Sequence, residues 1–89
     1  MAFESVPEEP GAYRLLKGDT VVYVGSSDNL RRRLQEHRTG EDNSCLKRNG
    51  WARCEHRTTS NADAAEALEQ DWRQQFSPIC EPAAQPTTQ

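Results

Sequence analysis

Arg33 and His37 are four residues apart, so any helix that contains both presents them on one side, one turn apart. At about 100° per residue, His37 falls between Leu30 and Leu34, and Arg33 lies just beside that apolar pair. Both therefore point toward the protein, while Arg31 and Arg32 fall elsewhere on the circumference. Farther along, Glu69 stands four residues after Ala65 and three before Trp72, at the edge of a second apolar stripe from which Glu66 and Asp71 lie farther away. A carboxylate at such an edge is costly unless it is paired or binds a cation. A guanidinium, an imidazole and a carboxylate converging on a sheet that carries Tyr13 and Tyr23 suit phosphate chemistry. Spacing alone also accommodates plainer roles: an Arg33–Glu69 ion pair at the helix edge, cross-strand packing of the tyrosines, and a hydrogen-bonded helix histidine.

The elements that must position these groups follow from local pattern. Gly11 to Leu16 and Thr20 to Gly25 are rich in β-branched and aromatic residues and flank Lys17-Gly18-Asp19, which predicts an antiparallel hairpin. Ser26, Ser27 or Asp28 can cap a helix running to about His37, with Leu30 and Leu34 as its core contacts and Gly40 as its stop. Asn43 to Asn49 fits one short turn of helix. Trp51 to Thr58 is a third strand, and Ser60 or Asn61 caps a second long helix that runs to about Phe76 on the stripe Ala65, Leu68, Trp72, Phe76 before Pro78. Strand, strand, helix, strand, helix gives an α+β domain built on a small three-stranded antiparallel sheet.

Composition sets the limits. The chain has 89 residues, 34% of them apolar, and a mean hydropathy of −0.98, which leaves room for one domain with a thin core. Residues 1–9 are acidic and 82–89 polar, and both read as flexible ends around a domain spanning 10–81. The longest apolar run is Val21 to Val24, too short for a membrane span, and the acidic start lacks the basic opening of a secretion signal, so the expected setting is cytoplasmic. Cys45, Cys54 and Cys80 are odd in number and irregular in spacing, and read as buried or idle thiols. The formal net charge of −3 conceals an asymmetry: Asn29 to Arg57 holds eight basic and four acidic residues, net +4, against −7 elsewhere. A chain acidic on average can thus present a basic face to an anion.

Gly11-Ala12-Tyr13, then Tyr23-Val24-Gly25 ten positions on, then Ser26-Ser27-Asp28-Asn29-Leu30-Arg31-Arg32-Arg33-Leu34, resemble the GIY-YIG nuclease family. The resemblance extends to Arg33, ten residues after Tyr23, to His37 one turn later, to Glu69 on the second long helix, and to Pro78 beyond it, covering about Pro10 to Glu81. It implies the family's three-stranded sheet with flanking helices and a phosphodiesterase acting on DNA with one Mg²⁺ or Mn²⁺. In those terms Glu69 is the metal ligand, Arg33 grips the phosphate, Tyr23 or Tyr13 orients or deprotonates the attacking water, and His37 contacts phosphate or assists proton transfer. DNA contacts are expected from Ser26, Arg31, Arg38, Lys47 and Arg48, with Gly25 at the margin of the site.

Departures from the family pattern bear on activity. Ala12 and Val24 replace isoleucines, a change between apolar residues. Ser26 occupies a position where repair-type members often carry lysine. Glu81 stands where many members have an asparagine, and adds a second negative charge that could join the metal shell, repel phosphate or face solvent. The competing functions are a catalytically silent nucleic-acid-binding module and a protein-interaction domain using Trp51 and Trp72. With no recognisable DNA-reading module in the tails, the domain is expected to recognise a DNA structure, to borrow a protein partner, or to cut weakly and without preference.

Overall fold

A computed structural model describes residues 6–38 and 44–80. Gly40, Asn43, Glu81 and the expected tail at 82–89 lie outside the described residues. The element order is β1 (Gly11–Lys17), β2 (Thr20–Ser27), α1 (Leu30–Arg38), α2 (Ser44–Asn49), β3 (Arg53–Thr58) and α3 (Ala62–Phe76). The three strands form one sheet in the order β2-β1-β3, with β1 antiparallel to both neighbours, as the α+β reading required. Gly18, at φ 63°, supplies the left-handed turn residue of the β1–β2 hairpin. A register shift between Leu15 and Leu16 then increases the bend of the pair.

The helix ends differ from the sequence reading in small, explicable ways. Asn29 caps α1, rather than Ser26, Ser27 or Asp28: the Arg32 N–H donates to Asn29 Oδ1 at 3.0 Å and the Arg33 N–H to the Asn29 carbonyl at 3.1 Å. Ser26 and Ser27 are still in β2. Asn61 caps α3 by accepting from the Ala64 N–H at 2.8 Å. Its other end closes on Ser77, left-handed at φ 47°, whose N–H donates to the Arg73 carbonyl, so the helix stops one residue before Pro78.

Two cores lie on opposite sides of the sheet. Val6, Tyr13, Leu15, Val22, Tyr23, Leu30, Leu34, Leu46 and Cys80 pack under α1 and α2, while Ala12, Val24 and Trp72, with Val21, Leu68 and Phe76, pack under α3. Leu30 and Leu34 are fully buried, each contributing about 1.5–3 kcal/mol by leaving water. Residues 6–9, read from sequence as part of a flexible end, are docked instead: Val6 is buried, Arg31 Nε donates to its carbonyl at 2.8 Å, and the Leu30 N–H donates to the Glu9 carbonyl at 3.0 Å. The cysteine reading also changes. Cys45 on α2 and Cys80 after α3 form a disulfide with Cα atoms 5.8 Å apart, and Cys54 on β3 is free. A sequence separation of 35 hides that proximity from linear spacing. No helix among the described residues is long and apolar enough to cross a membrane.

Candidate active site

Tyr13 and Tyr23 come from adjacent strands. Tyr13 is opposite Gly25, and Tyr23 is opposite Leu15, so the two tyrosines are diagonal neighbours on one face. Their ring centroids are 6.1 Å apart at an interplanar angle of 30°. Gly25 makes this possible: a Cβ there would fall 2.6 Å from Tyr13 Cζ and 3.0 Å from Tyr23 Cε2. Gly11 is constrained in the same way, since its Cβ would meet Leu30 Cδ1 at 2.6 Å. The glycines of both tripeptides are therefore there for close approach, one to the tyrosine rings and one to α1.

His37 closes the cluster from α1, its ring centroid 5.5 Å from Tyr13 and 5.3 Å from Tyr23, edge-on to both. Its Nε2 and the Tyr13 hydroxyl share a 2.8 Å hydrogen bond, with both side chains buried. Burial pushes the Tyr13 phenol well above the ordinary tyrosine range, with Tyr23 adding to the effect and the Arg33 guanidinium opposing it. Tyr23 is also raised by burial; Arg33 opposes the shift and the Glu69 carboxylate reinforces it. Arg33 reaches both phenols while its Nη1 is 3.0 Å from Glu36 Oε1.

Glu69 approaches from α3. It is 8% exposed, accepts a 2.6 Å hydrogen bond from the Ser26 hydroxyl, and has Arg73 Nη1 3.9 Å from its other oxygen. The Arg33–Glu69 ion pair that spacing allowed is thus replaced by separate partners, Glu36 for the arginine and Ser26 with Arg73 for the glutamate. Among the described residues no cluster of three or more His, Cys, Asp or Glu forms a metal cage. A single carboxylate beside phenolic oxygens is the donor set of a hard cation that keeps most of its waters, so the residues present fit Mg²⁺ or Mn²⁺.

Tyr13, Tyr23, Arg33, His37 and Glu69 are thus brought to one region, with Gly25 beneath the rings. Ser26, expected on DNA, instead holds the Glu69 carboxylate. Arg31, also expected on DNA, is committed to the Val6 carbonyl and to Glu8 at 3.3 Å. Arg38, Lys47 and Arg48 are exposed. His37 is buried, at 3% exposure, behind the two tyrosine rings it meets edge-on. Sequence reasoning missed Glu36 as Arg33's partner, although the i, i+3 spacing signals it. It also missed Ser26 as Glu69's partner, which linear spacing does not signal. Trp51 and Trp72 both pack against core residues, which removes the basis for a tryptophan-centred interaction surface.

A three-stranded antiparallel sheet with a tyrosine pair, a helix-borne Arg-His pair and a glutamate from the last helix makes a small α+β domain. The model of the GIY-YIG catalytic domain matches residues 10–82, and the chain belongs to that family. It is 32% identical over 78 residues to the UvrABC system protein C of Aquifex aeolicus (strain VF5), covering 84% of this chain and 14% of that protein. The fold is that of the GIY-YIG N-terminal endonuclease domain of UvrC from Thermotoga maritima bound to its catalytic magnesium: TM-score 0.71, 23% identity, 82% of this chain and 83% of that one. An asparagine-to-alanine mutant of the same domain, bound to its catalytic divalent cation, gives a TM-score of 0.72 at 23% identity over 82% of each chain.

Proposed function

We propose that this domain is a divalent-metal-dependent endonuclease that hydrolyses DNA phosphodiester bonds. The observation that carries the reading is the convergence of Arg33 and two phenols from one side of the sheet with the Ser26-held Glu69 from the other. A Mg²⁺ or Mn²⁺ ion held by Glu69 and waters supplies neutralisation of the scissile phosphate and stabilisation of the leaving oxygen.

The chain's own groups divide the remaining work. Arg33, part-exposed and paired at a helix edge with Glu36, can exchange that carboxylate for two phosphate oxygens and meet the charge that grows in the transition state. Tyr23, the less buried phenol, orients the attacking water. Burial raises its pKa, so it is protonated at neutral pH and a base role would need Arg33 or the bound cation to stabilise the phenolate. Tyr13 and His37 form the support behind it: their shared hydrogen bond fixes the Tyr13 hydroxyl and gives a proton a place to go. Ser26 prevents the Glu69 carboxylate from rotating away from the site. Arg38, Lys47 and Arg48 serve as exposed phosphate contacts along the flanking DNA.

The chain spans 14% of the length of the curated relative it matches, and that relative is named as protein C of the UvrABC system. Target choice by a protein partner fits that relationship. Purified protein with supercoiled plasmid and Mg²⁺ or Mn²⁺ is expected to produce nicked circles, and Glu69→Ala to lose at least about 10²-fold in rate with its far-ultraviolet circular dichroism unchanged. Unchanged nicking by Glu69→Ala would overturn the assignment. Metal-independent binding without nicking, weakening by about 0.9 log units per log unit of salt for each phosphate contact, would identify a silent binding module instead.

A further inference from the structure

The Cys45–Cys80 bond joins the short helix α2 to the segment that follows α3. Cys80 lies in a parallel bridge beside Tyr23, secured to β2 by its N–H to the Val22 carbonyl at 2.7 Å and by the Ile79 N–H to the Val21 carbonyl at 3.3 Å. Cys45 belongs to α2, a six-residue helix too short to persist on its own. Its other anchors are the buried Leu46 and a 3.0 Å hydrogen bond from Lys17 Nζ to the Asn49 carbonyl. The disulfide therefore couples the basic helix that carries Lys47 and Arg48 to the strand that carries a site tyrosine.

We infer that Cys45–Cys80 is a site of reversible thiol–disulfide exchange with low-molecular-weight thiols, and that its reduction releases α2 and the segment at Ile79–Cys80 from the sheet edge beside Tyr23. The two sulfurs are unequal. Cys80 is 1% exposed while Cys45 is half-buried, so an incoming thiolate reaches the Cys45 sulfur. Asn49 Nδ2 donates to the Cys45 carbonyl at 2.9 Å and lies 3.4 Å from Cys45 Sγ and 3.7 Å from Cys80 Sγ, so the amide is within reach of either sulfur as negative charge develops on it. Attack forms a mixed disulfide at Cys45, and the S–S electron pair leaves on Cys80, which takes a proton from solvent. A second thiolate attacks the small-molecule sulfur of the mixed disulfide, and Cys45 leaves and is protonated. Two small thiols are thereby oxidised to their disulfide, and the cysteine pair gains two electrons and two protons. Arg33, His37 and Glu69 sit on α1 and α3, outside the two bonded segments, so exchange acts at the flank of the site.

An effect on DNA rests on the nuclease reading; release of the segments does not, and is measured directly. Cys54 provides an internal count, since denatured protein treated beforehand with oxidised glutathione should titrate one thiol, and three after reduction. On reduction, amide exchange at Cys80 and Gly50 is expected to accelerate at least about 10-fold while Tyr13 and Leu15 amides in β1 stay protected. Loss of a cross-link closing a loop this long should also lower the Tm by about 10 °C or more. Cys45→Ser should reproduce the reduced pattern without reductant. Three titratable thiols after the oxidised glutathione treatment, unchanged exchange at Cys80 and Gly50, or β1 amides released together with them would each overturn the inference. Restored protection on returning the reduced protein to oxidised glutathione confirms reversibility, and its absence overturns it. Protein that nicks in neither state leaves this exchange result standing while removing the nuclease reading.

Discussion

The two sides of the sheet each hold an arginine among aromatic rings with a glutamate at hand, and use them for opposite ends. Under α3, Arg14 lies between Trp72 and Phe76, its guanidinium carbon 4.6 Å and 4.5 Å from the two ring centroids, and Nε and Nη2 both reach Glu55 Oε1 at 2.7 Å and 2.6 Å. Two ring faces and a forked contact to one carboxylate oxygen hold that guanidinium in place, and it acts as packing. Under α1, Arg33 lies close enough to both phenols to oppose the rise of their pKa, and pairs with one carboxylate from its own helix at 3.0 Å. An arginine held by replaceable partners can meet a phosphate; an arginine held by rings and a carboxylate from a neighbouring strand cannot do so without breaking the fold.

The sharpest break of that comparison is a reciprocal pair. Arg33→Ala should cut nicking by about 10²–10³-fold with little change in Tm, whereas Arg14→Ala should lower stability by about 1–3 kcal/mol and leave the rate per folded molecule within about twofold. Plasmid nicking and thermal melts on both variants test this, and a severe rate loss in well-folded Arg14→Ala would refute it. Next in size is Gly25→Ala, which drives a methyl into the Tyr13 and Tyr23 rings. It should cost about 1–3 kcal/mol in urea denaturation and disturb the phenols under α1 alone.

A titration separates the two sides more finely. Both phenols are raised by burial, so the folded protein keeps protons that the unfolded chain loses above about pH 10. Their influence on stability is constant below that pH and becomes destabilising as pH rises past it. Ultraviolet titration should show neither tyrosine ionising at the ordinary value until the protein unfolds, and Arg33→Ala should move both still higher by removing the opposing positive charge. The smallest effect belongs to the solvent-facing side of α1. Arg32→Ala, which removes exposed contacts to Asp28 at 2.7 Å and Glu36 at 3.8 Å, should change stability by no more than about 0.5 kcal/mol.

Much of this was legible in the chain itself because it depends on local period and turn chemistry. Alternation and the Lys17-Gly18-Asp19 turn give the hairpin. The pair Leu30 and Leu34 orients α1, and through it Arg33 and His37. The stripe Ala65, Leu68, Trp72, Phe76 orients α3 and puts Glu69 at its edge. The motif glycines were visible as residues, but their purpose was not, because it lies in distances to rings and side chains on other elements.

What tertiary structure alone decided are the partnerships between elements far apart in sequence. Glu69 could have met Arg33, and meets Ser26, because α3 packs on the face of the sheet opposite α1. Arg31 could have faced DNA, and ties down residues 6–8, because that segment passes alongside α1. Three irregular cysteines gave no pattern, yet two are bonded, because the short α2 and the chain after α3 return to the same edge of β2. Sequence determines which face of each helix and strand is apolar, since that depends on neighbours three or four residues away. Which faces then meet depends on how the layers stack, and only the folded chain brings those groups within a hydrogen bond of one another.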